Sequence, residues 1–163
     1  MSHNLNRMLQ LVDDFFSIKD DPNQLAVTDE VLQTLTKLHP ATLSEQIDKD
    51  GPVCWILMIP TSEKTMELFL NDKISESDIL KLSIDKINVD SIYLCSALVL
   101  PEFRKKGIAK QLSIDAIKKM QFSFPIKTLY VWPFSGEGKN LANSIAVEVD
   151  LPLKLKEQGS DPI

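Results

Sequence analysis

The 163-residue sequence is poor in the residues and runs that mark several protein classes. It contains no apolar run close to the roughly 18 residues that are needed to cross a bilayer. Residues 1–19 mix polar and acidic side chains with apolar ones, so we expect neither a secretory signal nor a membrane anchor. Its only two cysteines, Cys54 and Cys95, stand far apart inside apolar runs, which favours buried free thiols over a disulfide framework or a metal site. We therefore expect a cytoplasmic protein without a metal.

Basic residues are in the minority, and the formal net charge is −5. This balance argues against a nucleic-acid-binding protein, because affinity for phosphate backbones needs a basic face. The fractions of hydrophobic residues (44%) and charged residues (25%) are those of an ordinary globular protein, and the length predicts one domain over residues 1–163. One segment departs from the acidic balance, with four cations in seven residues: Arg104, Lys105, Lys106 and Lys110. Such a cluster suits a small polyanion, or else it forms an ordinary solvated surface.

The spacing of apolar residues predicts the secondary structure. Helices are predicted at residues 7–16, 28–38, 62–70, 75–82, 104–120 and 140–146. Strands are predicted at 53–59, 92–100 and 126–132, with one or two short strands in 147–155 and a polar connection before Pro52. A strand, helix and strand over 92–132 form a β-α-β unit, whose strands pair in parallel. We expect an α/β (α+β) fold with a mixed, partly parallel twisted sheet flanked by helices.

The segment after the strand at 92–100 has the features of an anion site. In open α/β sheets, ligands lie outside the carboxyl ends of strands, where the first turn of the next helix offers unpaired N–H groups. Gly107 has no Cβ, which lets a phosphate approach the backbone, and Lys105, Lys106 and Lys110 add positive charge. The segment lacks both G-x-G-x-x-G and G-x-x-x-x-G-K-[ST]. We therefore predict a pyrophosphate-binding loop of another kind.

Residues 99–109, Val-Leu-Pro-Glu-Phe-Arg-Lys-Lys-Gly-Ile-Ala, resemble the acyl-CoA loop of the GNAT superfamily of N-acetyltransferases. The family pattern is Arg or Gln, two residues, Gly, one residue, then Gly or Ala, and the resemblance extends over about 92–132. It implies that acetyl-CoA binds at a splay between the two central strands and gives its acetyl, or a short acyl, group to a primary amine of a small molecule or peptide. It also implies the cofactor-binding residues, which are Ala97, Leu98, Val99, Arg104, Lys105, Lys106, Gly107, Ile108, Ala109 and Lys110.

The usual catalytic groups of that family are replaced in this sequence. Tyr93 stands where histone-type members carry a basic Glu, and Ala142 stands where many members carry an acidic Tyr. Tyr93 and Ser135 are the candidate catalytic residues, with a structural role as the alternative for each. The sequence leaves three functions open: an N-acetyltransferase, an acyl-CoA-binding module that has lost turnover, and an unrelated nucleotide-binding protein. The oligomeric state is also open, a homodimer included.

Overall fold

The computed structural model describes residues 3–18, 29–133 and 135–157. Within these ranges the chain forms six α-helices, five β-strands and one short 3-10 turn at Pro101–Phe103. The helices are α1 (His3–Ile18), α2 (Asp29–Leu38), α3 (Glu63–Leu70), α4 (Glu76–Ser83), α5 (Ile108–Ser123) and α6 (Gly136–Val149). The strands are β1 (Leu43–Asp48), β2 (Gly51–Ser62), β3 (Val89–Val99), β4 (Thr128–Val131) and β5 (Leu153–Leu155). Among the described helices, none combines the length and apolarity that a bilayer-spanning helix needs.

The five strands form one sheet in the order β1-β2-β3-β4-β5. Strand β2 is antiparallel to both β1 and β3, whereas β3 with β4 and β4 with β5 are parallel. The predicted mixed α/β fold and the parallel β-α-β unit are therefore confirmed. The prediction of a polar connection before Pro52 was wrong, because β1 lies there and pairs with β2. As an edge strand with exposed polar side chains at Glu45 and Gln46, β1 lacks the apolar run that identifies a buried strand.

Two prolines that were predicted to bound the second strand lie inside it. Pro52 pairs with β1 alone, and Pro60 pairs with β3 alone, because β2 extends beyond each neighbour at one end. The nitrogen of each proline, which has no hydrogen to donate, can therefore face the side of β2 that has no neighbouring strand.

The sheet lies between two layers of helices. Because side chains alternate along a strand, Ile56 and Met58 of β2 pack with α1, α5 and α6, whereas Leu57 and Ile59 pack with α2, α3 and α4. Helix α5 supplies Ala116 and Met120 of its predicted apolar row to the first layer.

The start of α5 differs from the sequence prediction. The helix begins at Ile108 rather than Arg104, because Lys105 and Gly107 have positive φ angles of 62° and 78° that a right-handed helix does not contain. Helix α6 begins earlier than predicted, at Gly136, because the Ser135 side chain caps it. The four residues 104–107 consequently form a loop between β3 and α5.

Candidate functional site

The two central parallel strands differ in how far they extend at their carboxyl ends. Strand β3 pairs with β4 only from Ser91, opposite Thr128, to Leu94, opposite Val131. It continues to Val99 while pairing with β2 on its other side. Within the described part of the chain, no strand pairs with the β4-facing edge of β3 beyond Leu94. Strand β3 therefore extends five residues beyond the end of this ladder, and the predicted residues Ala97, Leu98 and Val99 lie on that extension.

A bulge in β3 lies at the end of its ladder with β4. On β2, Leu57 is opposite Ser96 and Met58 is opposite Leu94, so Cys95 is the extra residue of β3. A bulge bends its strand and increases the local twist. The apolar sequence of β3 carries no signal for a bulge at this position.

The basic loop, which we define as residues 104–110 and which includes the first turn of α5, follows the carboxyl end of β3. Gly107 is the N-terminal cap of α5 and has φ 78° and ψ 7°, in the left-handed region. A Cβ built on Gly107 meets no atom within 4 Å, so the backbone conformation rather than lack of space favours glycine there. Lys105 is also left-handed, a conformation that costs a residue with a side chain about 1–2 kcal/mol.

The first turn of α5 is electrostatically suited to an anion. It contains no acidic residue, and no side chain of the described part caps it. The free N–H groups and the positive end of the 16-residue helix both attract negative charge. Lys105 and Lys106 are exposed, Lys110 is half-buried, and Nζ of Lys106 lies 5.6 Å from the ring centroid of Phe103. Ile108 and Ala109 are half-buried against the core and hold the turn in place.

Two ion-binding side chains beside the loop already have partners. Arg104 donates from Nε to the carbonyl oxygen of Val99 at 3.0 Å, which ties the loop to the end of β3. Glu102 accepts two hydrogen bonds of 2.8 Å from Arg7 of α1. The bond from Arg7 lowers the pKa of Glu102 and holds this carboxylate toward α1. The negative charge nearest the loop in sequence is thereby neutralised.

Tyr93, one of the two candidate catalytic residues, is buried between the sheet and the layer of α3 and α4. Its hydroxyl donates to Oε2 of Glu76 at 2.5 Å, and its ring centroid lies 5.2 Å from Phe69 and 5.1 Å from Tyr130. Burial, and then the charge of Glu76, raise the pKa of Tyr93 well above its ordinary value. Tyr93 therefore stays protonated at neutral pH, and its proton lies in a hydrogen bond to Glu76 rather than at the open edge of β3.

Glu76 is a buried carboxylate that sequence reasoning missed. It follows Ser75, which forms the predicted capping box with Asp78 at the start of α4. In sequence, Glu76 looks like any exposed acid in a first helical turn. Its contact with Tyr93, 17 residues away, distinguishes it.

Ser135, the other candidate, has a structural role in this geometry. Its hydroxyl oxygen accepts a hydrogen bond from the N–H of Gly138 at 3.0 Å and caps α6. Ala142, at the position of the usual family acid, is buried in the core. Trp132 is half-buried, and its ring lies 5.9 Å from Phe69. In sequence, Trp132 and Phe134 flank the same loop and are candidates for the wall of an acceptor pocket, with closure of the core as the alternative, but Phe134 lies outside the described residues.

No family model and no curated protein matches this sequence. The site is therefore argued from its geometry. In the described ranges, no group of three or more His, Cys, Asp or Glu side chains is arranged to hold a metal ion. Two surface depressions of about 560 and 540 Å³ lie along α6 with β5 and along α3, and residues 104–110 line neither of them.

Proposed function

We propose that this protein binds acetyl-CoA, or another short acyl-CoA, and transfers the acyl group to a primary amine. This is the reaction that the resemblance of residues 99–109 to the GNAT superfamily implies. The main support is that the part of β3 beyond its ladder with β4 leads directly into the basic loop and the uncapped first turn of α5. One elongated ligand with an anionic end and an amide-rich arm can contact both features.

The two parts of the ligand have separate complements. The CoA pyrophosphate is an anion that suits the N–H groups and lysines of residues 105–110. The pantetheine arm contains amide groups, which can hydrogen-bond to the free edge of β3 as an added strand does. The open edge runs from the bulge at Cys95 to Val99, where the basic loop begins. In this arrangement, the thioester lies between the carboxyl ends of β3 and β4.

The transfer needs few groups of the protein. The amine nitrogen attacks the thioester carbonyl, a C–N bond forms, the C–S bond breaks, and CoA leaves as a thiol after gaining the proton that the amine loses. Holding the two reactants together supplies a large part of the rate enhancement. Because Tyr93 donates to Glu76 and Ser135 caps α6, we assign the proton transfer to water beside the thioester.

A second function is favoured by the same hydrogen bonds. If neither Tyr93 nor Ser135 exchanges protons with substrate, the protein can be an acyl-CoA-binding module without turnover. This function keeps the loop and the open strand edge and removes only the chemistry.

Mass spectrometry of reaction mixtures separates the two functions. Purified protein is incubated with acetyl-CoA and a panel of primary amines, and both the acetylated amine and free CoA are quantified. Equal amounts of the two products, dependent on protein and on amine, support the transferase. Acetyl-CoA binding without either product supports the binding module. Stabilisation by ATP or NAD but not by acetyl-CoA would overturn both.

A further inference from the structure

A buried lysine ammonium lies on the other face of the sheet, near the carboxyl end of β4. Lys156 directly follows β5 and is only 7% exposed, which is rare for lysine. Its Nζ donates to the carbonyl oxygen of Phe69 at 2.8 Å and to the carboxylate of Asp72. The same nitrogen lies 4.5 Å from the ring centroid of Phe69 and 5.6 Å from that of Trp132. Four separate groups therefore contact one ammonium.

Each of these groups favours a cation. Phe69 is in the last turn of α3, where carbonyl oxygens lack helical partners and the helix dipole is negative. Asp72 follows the helix in a left-handed conformation, with φ 59°, and supplies a full negative charge. The faces of Phe69 and Trp132 add cation–π attraction and cover the alkyl part of the side chain. We call this group of contacts, at Phe69, Asp72 and Trp132, the ammonium site.

The ammonium site lies near the last residue pair of the β3–β4 ladder. The backbone N–H of Lys156 donates to the carbonyl oxygen of Val131 at 2.9 Å. Val131 is opposite Leu94 in the last pair of the β3–β4 ladder, and Trp132 follows it. The basic loop leads into α5 on one face of the sheet, whereas the ammonium site is formed by α3 on the other face. The ammonium site and the basic loop therefore lie on opposite faces of the sheet, and the ammonium site is close to the carboxyl end of β4.

We propose that the ammonium site binds the acceptor as an ammonium ion, which releases one proton to water before its nitrogen attacks the thioester, and that Lys156 occupies the site as an intramolecular competitor. This proposal rests on the proposed acyl transfer and names its substrate class: a primary amine on an unbranched alkyl chain. Lys156 must leave the site before the acceptor can bind. The net charge of −5 also favours a cationic acceptor over an anionic one.

Lys154 provides a matched control. It lies two residues before Lys156, within β5, and also reaches α3, through an ion pair of 3.1 Å with Glu67. Both side chains of this pair are about half exposed, so the pair lies outside the ammonium site. Lys154→Ala removes a lysine from β5 and leaves Lys156 in place.

The experiment titrates Lys156→Ala, Lys154→Ala and the wild type with n-butylamine, whose four-carbon chain matches a lysine side chain, in the absence of acyl-CoA. Calorimetry should show that Lys156→Ala binds n-butylamine about tenfold more tightly than the wild type, because the competitor is gone and the cation contacts remain. Lys154→Ala should bind as the wild type does. Adding Asp72→Asn to Lys156→Ala should weaken binding. Equal binding of n-butylamine and uncharged n-butanol by Lys156→Ala would overturn the proposal.

Two further measurements complete the test. If Lys156→Ala does not fold, Lys156→Met keeps the alkyl stem, and methylamine becomes the probe for the vacated ammonium position, with methanol as the neutral comparison. Nα-acetyl-lysine amide, titrated beside n-butylamine, distinguishes a lysine side chain from a free alkylamine as the source of the ammonium, and binding of either supports the site.

Acetylation assays then test the acceptor role. Lys156→Ala should acetylate n-butylamine with a KM about tenfold below that of the wild type. Binding of n-butylamine with an unchanged KM would contradict the acceptor role. If acetyl-CoA does not bind at all, the proposed function fails, whereas the titration without acyl-CoA still judges the ammonium site.

Discussion

The hydrogen bond between Tyr93 and Glu76 leads to a prediction that separates a structural from a catalytic role for Tyr93. Tyr93→Phe keeps the buried ring and its packing against Phe69 but removes the donor to a carboxylate 2.5 Å away. A hydrogen bond to a charged group contributes about 1.5–3 kcal/mol to the free energy of unfolding. At roughly 2–4 °C per kcal/mol for a chain of this size, we expect the melting temperature to fall by about 3–12 °C.

Tyr130→Phe is the matched control for this change. Tyr130 is equally buried and packs against the same phenylalanine, but its hydroxyl bonds to Thr61, a neutral partner, at 2.9 Å. The loss should therefore be about 1 kcal/mol, roughly half of that at Tyr93. Urea unfolding followed by circular dichroism gives both free energies.

A double-mutant cycle with Glu76→Gln measures the interaction of Tyr93 with its partner directly. Residues in contact through such a bond should couple by about 1 kcal/mol or more. If Tyr93→Phe costs no more than Tyr130→Phe, the reasoning about Glu76 is refuted. The same holds if it abolishes acyl transfer while stability stays unchanged, because Tyr93 would then be a catalytic residue.

Three other predictions concern residues with defined partners. Burial, followed by the charge of Lys86, lowers the pKa of His39 from 6.5. Because the unfolded state then binds the proton more readily, the free energy of unfolding should fall as the pH drops below about 6.5. His39→Asn should reduce this pH dependence in urea unfolding between pH 7.5 and 5.5, and an unchanged pH dependence would contradict the prediction. Burial raises the pKa of Cys54 to about 11, so iodoacetamide should label half-buried Cys95 first, as peptide mapping would show, and preferential labelling of Cys54 would count against the fold. Ser135→Ala should cost about 1 kcal/mol in thermal unfolding and leave transfer rates unchanged, whereas a tenfold lower rate would restore Ser135 as a catalytic residue.

The sequence allowed correct prediction of the elements that depend on local pattern. The β-α-β unit was predicted because β3 is a long apolar run and α5 carries an i, i+4 apolar row. Helices α3 and α4 were predicted at 62–70 and 75–82, within one residue of their observed ends. Strand β1 was missed because one exposed face of an edge strand needs no apolar residues.

Only part of the candidate site could be predicted from the sequence. Gly107 marks the turn before α5, but a left-handed lysine at 105 and a bulge at Cys95 leave no trace in residue type. The contacts of Glu76 and Lys156 depend on residues that are 17 and up to 87 positions away in the chain. In sequence, a buried lysine after β5 looks the same as its exposed neighbour Lys154, because only the packing of α3 against β5 separates them.

The central claim is that residues 104–110 bind an acyl-CoA, and calorimetric titration with acetyl-CoA tests it most directly. Gly107→Ala and Gly136→Ala form a matched pair, since a Cβ has open space at both positions and only Gly107 has a positive φ. The alanine at 107 lets the loop relax from the left-handed conformation, and restoring that conformation on binding should weaken affinity roughly tenfold. We predict saturable binding by the wild type and by Gly136→Ala, with this loss in Gly107→Ala. No binding by the wild type, or equal affinity for all three proteins, would contradict the claim.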